Sequence, residues 1–107
     1  MYERLIEKLK ETGIPFADGG WSTAPAGDYG TAELDGSGAT VWADDAMQEQ
    51  AMSGAVHLYT RGAGRVQMQK VQEALNSGEV SWRLNSVQYE ESTNLTHYEW
   101  VFELEAM

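Results

Sequence analysis

The stretch LTHYEWVFELE near the end of the chain alternates apolar and polar side chains with a period of two. One parity holds Tyr98, Trp100, Phe102 and Leu104, and the other holds His97, Glu99 and Glu103. Successive side chains of a β-strand point to opposite faces of a sheet. Residues 95–104 are therefore predicted to form a strand with one dry and one wet face, and a second layer of structure must cover the dry face.

Further stretches show the same period. Residues 29–35 and 39–43 flank Gly-Ser-Gly and predict a hairpin, and residues 49–60 predict a long strand. In residues 80–89 the apolar parity slips by one near Asn85, which predicts a β-bulge inside one strand.

Two amphipathic helices are predicted from a different spacing. Apolar residues recur three and four positions apart from Tyr2 to Leu9, and again within residues 65–76. Residues 14–17 contain a proline and predict a short strand at a sheet edge. The expected fold class is α+β, a mainly antiparallel sheet of about four to five strands with two helices packed on one face.

The 107 residues predict a single domain, 1–107, because a chain of this size supports one core. It has no cysteine, which excludes disulfide scaffolds and thiolate metal sites. The first residues are charged throughout, so neither a secretory signal nor a transmembrane span is expected. We therefore expect a soluble protein made inside the cell.

A long glycine-rich loop is predicted at residues 18–30. Loops of this length are commonly functional. Trp21 lies within it, in a context with little local core, so it either folds back onto the domain or anchors a partner.

The charge distribution argues against nucleic-acid binding. Seventeen acidic residues face seven basic ones, giving a formal charge of −10. Residues 11–60 and 84–107 contain no lysine or arginine. Binding to DNA or to an anionic membrane requires clustered cations, so both are disfavoured. The same charge supports an alternative function, an acidic inhibitor that mimics DNA and occupies the groove of a DNA-binding protein.

Candidate catalytic groups are sparse. His57 and His97 could join Glu99 around a zinc ion if their strands are neighbours, which would suit a small metal-dependent enzyme. Their spacing matches no metal motif, and solvent-exposed, non-ligand histidines are the stronger expectation. Gly-Ala-Gly at 62–64 lacks the pattern of a phosphate-binding loop. We expect no enzyme activity, no catalytic residues, no metal and no cofactor.

Taken whole, the sequence resembles the small tail terminator or tail completion proteins of long-tailed bacteriophages and prophages. The resemblance is carried in order by MYERLIEKLKETGIPFA, YGTAELDG followed by VWADD, HLYTR and LNSVQYEESTNLTHYEWVFEL. It spans nearly the full length and includes no catalytic signature.

The resemblance implies a structural role in virion assembly. Such proteins associate, typically as six subunits, into a ring that caps the tail tube and joins it to the head-side connector. It implies as partners other copies of the chain, the tail tube protein and the connector protein, with assembly in the bacterial cytoplasm and a final place in the virion tail or neck. The loop at 18–30 would then order on assembly.

We expect the subunit and partner contacts at aromatic and basic positions, namely Trp21, Tyr29, Trp42, Tyr59, Arg61 and Arg65. A second set of acidic positions is expected to face a channel lumen or solvent: Asp18, Asp28, Asp44 and Asp45. An acidic lining would repel passing DNA within a Debye length of about 8 Å.

Overall fold

A computed structural model describes residues 2–35 and 51–105. The elements follow the chain in the order α1 (Tyr2–Lys10), β1 (Phe16–Asp18), β2 (Tyr29–Asp35), β3 (Ala51–Arg61), α2 (Arg65–Ser77), β4 (Ser81–Glu90) and β5 (Leu95–Glu105). The predicted second hairpin arm at 39–43, with Trp42, Asp44 and Asp45, lies outside the described residues.

The strands form one sheet in the order β1-β2-β3-β5-β4. The pairs β2–β3, β3–β5 and β5–β4 are antiparallel, and β1 joins the edge in parallel with β2. Pro15 precedes β1, and its carbonyl accepts a hydrogen bond from the Gly30 N–H at 2.9 Å. A proline beside an edge strand is tolerated because it cannot donate to a ladder. In the described sheet β1 is the edge strand on this side, as the sequence predicted.

One face of the sheet is dry. Every apolar side chain on the predicted dry parity of β5 is buried, and Trp100 is completely so. The neighbouring strand β3 contributes Val56 and Leu58 to the same face. Leu5 and Leu9 of α1 pack there with Val71 and Leu75 of α2, which completes the core.

Hydrogen bonds fix α2 over the sheet. The Trp100 indole N–H donates to Gln72 Oε1 at 3.1 Å, and the Trp82 indole N–H donates to Asn76 Oδ1 at 2.9 Å. Each bond satisfies a ring N–H that packing removes wholly or partly from water, which is the usual requirement for tryptophan in such positions.

The predicted bulge is present. The register of β4 against β5 shifts between Leu84 and Ser86, so Leu84 pairs with Trp100 and Val87 pairs with Tyr98. Residues directly opposite one another share a face, and the extra residue Asn85 thus keeps the apolar side chains of β4 on one side.

The α+β prediction is confirmed: in residues 2–35 and 51–105, two helices lie on one face of a mostly antiparallel five-stranded sheet. The structure places β3 at Ala51–Arg61 and β5 at Leu95–Glu105, within two residues of the predicted ends.

Candidate functional site

The face of the sheet opposite the helices carries a row of stacked rings, which we call the aromatic ladder: Tyr29, His57, Tyr59 and His97. Tyr59 lies at the centre, with its ring centroid 4.8 Å from that of Tyr29 and 4.3 Å from that of His97. Cross-strand registers produce this arrangement, because Tyr29 and His97 both stand opposite Tyr59. The ladder joins three adjacent strands.

The two histidines contact each other directly. His57 Nδ1 lies 2.9 Å from His97 Nε2, a hydrogen-bond distance that requires a proton on one nitrogen and a lone pair on the other. His57 Nε2 lies 3.8 Å from Glu33 Oε2, and Glu99 stands opposite His57 on β5. Both imidazoles are half-buried, so the expectation of solvent-exposed histidines is wrong: their neighbours in the ladder cover them.

Burial lowers the pKa of His97, and the adjacent His57 lowers it further, while Glu99 opposes both effects. A second proton on this pair would set two donors against each other at hydrogen-bond distance. The pair is therefore built to hold at most one proton between its facing nitrogens.

The zinc arrangement considered as an alternative for His57, His97 and Glu99 is not formed in the described part of the chain. Within residues 2–35 and 51–105, no three histidine, aspartate or glutamate side chains are placed to share a metal ion. The contact between the two histidines occupies one nitrogen of each ring, His57 Nδ1 and His97 Nε2.

Arg61 ties the loop at 18–30 to the sheet. Its guanidinium donates to the Ala26 carbonyl at 2.8 Å, and its backbone N–H donates to Asp28 Oδ1 at 3.0 Å. The Trp21 indole N–H donates to the Gly30 carbonyl at 2.9 Å. Trp21 thus folds back onto the domain, with 37% of its surface still exposed. These bonds hold the loop in a single copy of the chain.

Two of the predicted acidic positions have partners inside the fold. Asp18 Oδ1 accepts a hydrogen bond from the Tyr2 hydroxyl at 2.8 Å, and Asp28 accepts the Arg61 bond just described. Burial and the Asp18 carboxylate together raise the pKa of Tyr2.

The structure therefore gathers some predicted interface residues and separates others. Tyr29, Tyr59 and Arg61 lie together at one end of the helix-free face, near Trp21. Arg65 lies on the other side of the molecule, in the first turn of α2.

Sequence reasoning missed one surface, which we call the β4 stripe: Leu84, Val87 and Tyr89. These side chains are 40%, 51% and 56% exposed. They lie on the helix-bearing side of the sheet, but β4 is the edge strand and the helices leave it largely uncovered. Their period-two pattern indicated a buried face, and nothing local in the sequence shows how far across the sheet the helices reach.

No helix in the described part of the chain has the length and apolar character needed to span a bilayer.

Comparisons with known proteins reveal a shared fold. The chain resembles one protein chain in the solved structure described as the virion of a native gene transfer agent (GTA) particle, with a TM-score of 0.60 at 15% sequence identity. The alignment covers 98% of this chain and 92% of that chain. Neither models of protein families nor curated protein sequences match the chain. At 15% identity, the likeness establishes the architecture that the two chains have in common.

Proposed function

We propose that this chain is a structural component of a phage-like virion, a tail terminator or tail completion protein. In this role, copies of the chain form a ring that caps the tail tube, and the ring joins the tube to the head-side connector. The tube protein, the connector protein and other copies of the chain are its partners. The protein works in the tail or neck of a particle that is assembled in the bacterial cytoplasm.

The observation that carries the proposal is the fold shared with a chain of the GTA virion. The likeness extends over nearly the whole length of both chains, so it concerns a complete architecture and not a common substructure. Fold alone does not define function. The independent sequence resemblance to tail terminator proteins points to the same kind of particle, and the two together favour a virion component.

The surface of the chain supports an assembly role. The β4 stripe leaves three large apolar side chains in water on a sheet edge. Exposed apolar side chains grouped in this way mark protein contacts more often than isolated ones do, and a free edge strand is a ready pairing site. Both features are expected of a subunit that functions in contact with other proteins.

The proposal assigns no catalytic activity and no cofactor to the chain. The polar cluster of the helix-free face is a pair of histidines bonded to each other among tyrosines and glutamates. Among the described residues, no nucleophilic side chain is hydrogen-bonded to this pair of histidines. Nucleophilic catalysis requires a nucleophile within hydrogen-bond reach of its base.

The first test is the solution mass of the purified chain, measured by light scattering over a concentration series at low and high salt. We expect a discrete species close to six times the chain mass of 11.9 kDa. The second test adds the chain to purified phage tail tubes and images their ends by electron microscopy. Rings at tube ends support the proposal, and bare ends at every concentration would argue against it.

The formal charge of −10 favours the DNA-mimic alternative, which the same preparation can test. A mimic binds a nuclease or repressor in competition with DNA, and that competition weakens as salt rises. If the chain displaces DNA from such a protein but never caps a tail tube, the DNA-mimic function is supported and the tail terminator function is contradicted.

A further inference from the structure

The helix layer and the helix-free face differ in their balance of charge. The two helices hold five of the seven basic residues, Arg4, Lys8, Lys10, Arg65 and Lys70, against three acidic ones, Glu3, Glu7 and Glu73. The helix-free face holds Glu33, Glu99 and Glu103, placed there by their register with open-face residues of β3. The two surfaces lie on opposite sides of the same molecule, so they can meet only if they belong to different copies.

The cations of α2 lack partners in the described part of the chain. Arg65 and Lys70 form no hydrogen bond or ion pair with any described residue. Between them, Val66 is 61% exposed, the largest exposed fraction among the exposed large hydrophobic side chains of the described residues. Arg65 also lies in the first helical turn, where a positive charge opposes the helix dipole. The stability of the single chain does not explain this placement.

The helix-free face offers a matching row across four strands. Glu33, Ala55, Val101 and Arg83 stand side by side through the registers of β2, β3, β5 and β4. Three interstrand spacings make this row about 14 Å long, with a carboxylate at one end, small apolar side chains in the middle and a guanidinium at the other end. A hollow of about 440 Å³ opens beside Val101 and is lined in part by Ser53, Ser81 and Glu103.

The outer face of α2 has the reverse order of charge. Arg65 and Val66 begin it, Lys70 follows one turn later, and Glu73 lies at the far end. Glu73 lies eight positions after Arg65, which corresponds to about 12 Å along the helix axis, close to the length of the row on the sheet. Laid across the strands, α2 would place its cations over the carboxylates, Val66 over the small apolar centre and Glu73 toward Arg83.

We infer that α2 of one copy docks on the helix-free sheet face of the next copy, with Arg65 and Lys70 paired to Glu33 and Glu103. This contact rests on the ring proposed above, and it names the two faces that form the ring. It joins two different patches, so it is a head-to-tail contact that closes into a ring when the rotation between copies allows it.

Two charge-reversal variants test the contact. Variant A carries Arg65→Glu and Lys70→Glu, and variant B carries Glu33→Lys and Glu103→Lys. Each alone places like charges across every interface, and the dissociation constant of assembly is expected to rise about tenfold or more. Mixed in equal amounts, A and B alternate around the ring with opposite charges at every contact, so the mixture is expected to regain the wild-type assembly.

The controls reverse charges away from both faces. Lys10→Glu and Glu91→Lys change exposed residues of α1 and of the β4–β5 turn, and they are expected to assemble as wild type does. Circular dichroism and thermal melting show that each variant folds. An assembly defect confined to the four reversed positions Arg65, Lys70, Glu33 and Glu103 is thereby distinguished from a general effect of charge reversal and from loss of folding.

The outcomes distinguish the contact from the proposed function. Recovery in the mixture, with each variant defective alone, supports the contact. Variants that assemble like wild type, or a mixture that stays as defective as its parts, would overturn it. So would a wild-type chain that remains monomeric at every concentration. Tube capping is scored separately, so the tail terminator role can stand or fall regardless of this result.

Discussion

The two faces of β5 show how one strand serves two environments. On the helix-covered face, Tyr98, Trp100 and Phe102 lie in a core from which water is excluded. On the helix-free face, His97 and Glu99 are half-buried, and no described helix covers them. The covered face is held by burial of large apolar surface, whereas the other face is held by ring stacking and polar contacts that remain accessible to protons and partners.

This difference has an energetic consequence. Core side chains are stabilised by contacts on all sides, so truncation leaves a cavity. Side chains on the helix-free face have fewer packed neighbours, because none of the described helices covers them, so truncation there removes fewer contacts. Substitutions of similar size on the two faces should therefore differ several-fold in their effect on the free energy of unfolding.

The largest expected effect is that of Trp100→Ala. The side chain is fully buried and its indole N–H donates to Gln72. Truncation of a buried tryptophan costs about 3–5 kcal/mol. Urea denaturation measures this loss. Glu103→Ala, an exposed residue on the opposite face of the same strand, is the control, and its effect should remain within about 0.5 kcal/mol. Equal losses in the free energy of unfolding for the two variants would show that the two faces of β5 do not differ in packing.

Gly54→Ala tests how closely β2, β3 and β5 pack. A methyl group on Gly54 would lie 2.7 Å from Phe102 Cζ and would also contact the Glu33 carbonyl oxygen. Overpacking of this kind costs about 1–3 kcal/mol because backbone or ring must shift. Thermal melting should show the loss. A variant as stable as wild type would mean that Phe102 can move without cost. Gly27→Ala, where the added methyl group meets no atom within 4 Å, is the matched control.

Tyr59→Thr measures how much ring stacking on the helix-free face contributes to the free energy of unfolding. Threonine keeps the preference for strand but removes the ring that stacks on Tyr29 and His97. An aromatic pair contributes about 0.5–1.5 kcal/mol beyond area burial, so we expect a loss of about 1–2 kcal/mol, smaller than that of Trp100→Ala. Urea denaturation compares the two. A loss as large as that of Trp100→Ala would show that the ladder is part of the core.

The smallest expected effect is the pH dependence contributed by His97. Its pKa is lower in the folded chain than the ordinary value of about 6.5, so the unfolded chain binds more protons below that value. The contribution to stability is complete above pH 6.5 and is lost as the pH falls through the folded pKa. His97→Gln should therefore flatten the decline in stability on acidification. Unfolding curves at a series of pH values measure this, and an unchanged slope would contradict it.

Much of the fold follows from local pattern. The period-two alternation of β5 identified its buried parity, and the spacing of Leu5 and Leu9 identified the covered side of α1, because burial selects apolar side chains on the face that is covered. The slip near Asn85 revealed the bulge for the same reason. These features depend on neighbours along the chain, so the chain alone contains their signal.

The functional surfaces depended on tertiary structure. Tyr29 and Tyr59 were separate candidates in the sequence, and only the β2–β3 register made them a stack. The histidine contact requires β3 beside β5, a pairing between segments 40 residues apart that no local period specifies. The β4 stripe is exposed because two helices do not cover five strands. The sequence by itself determined which apolar side chains share one face of each element. Only the packing of the elements decided which of those faces is covered, since burial depends on what lies opposite.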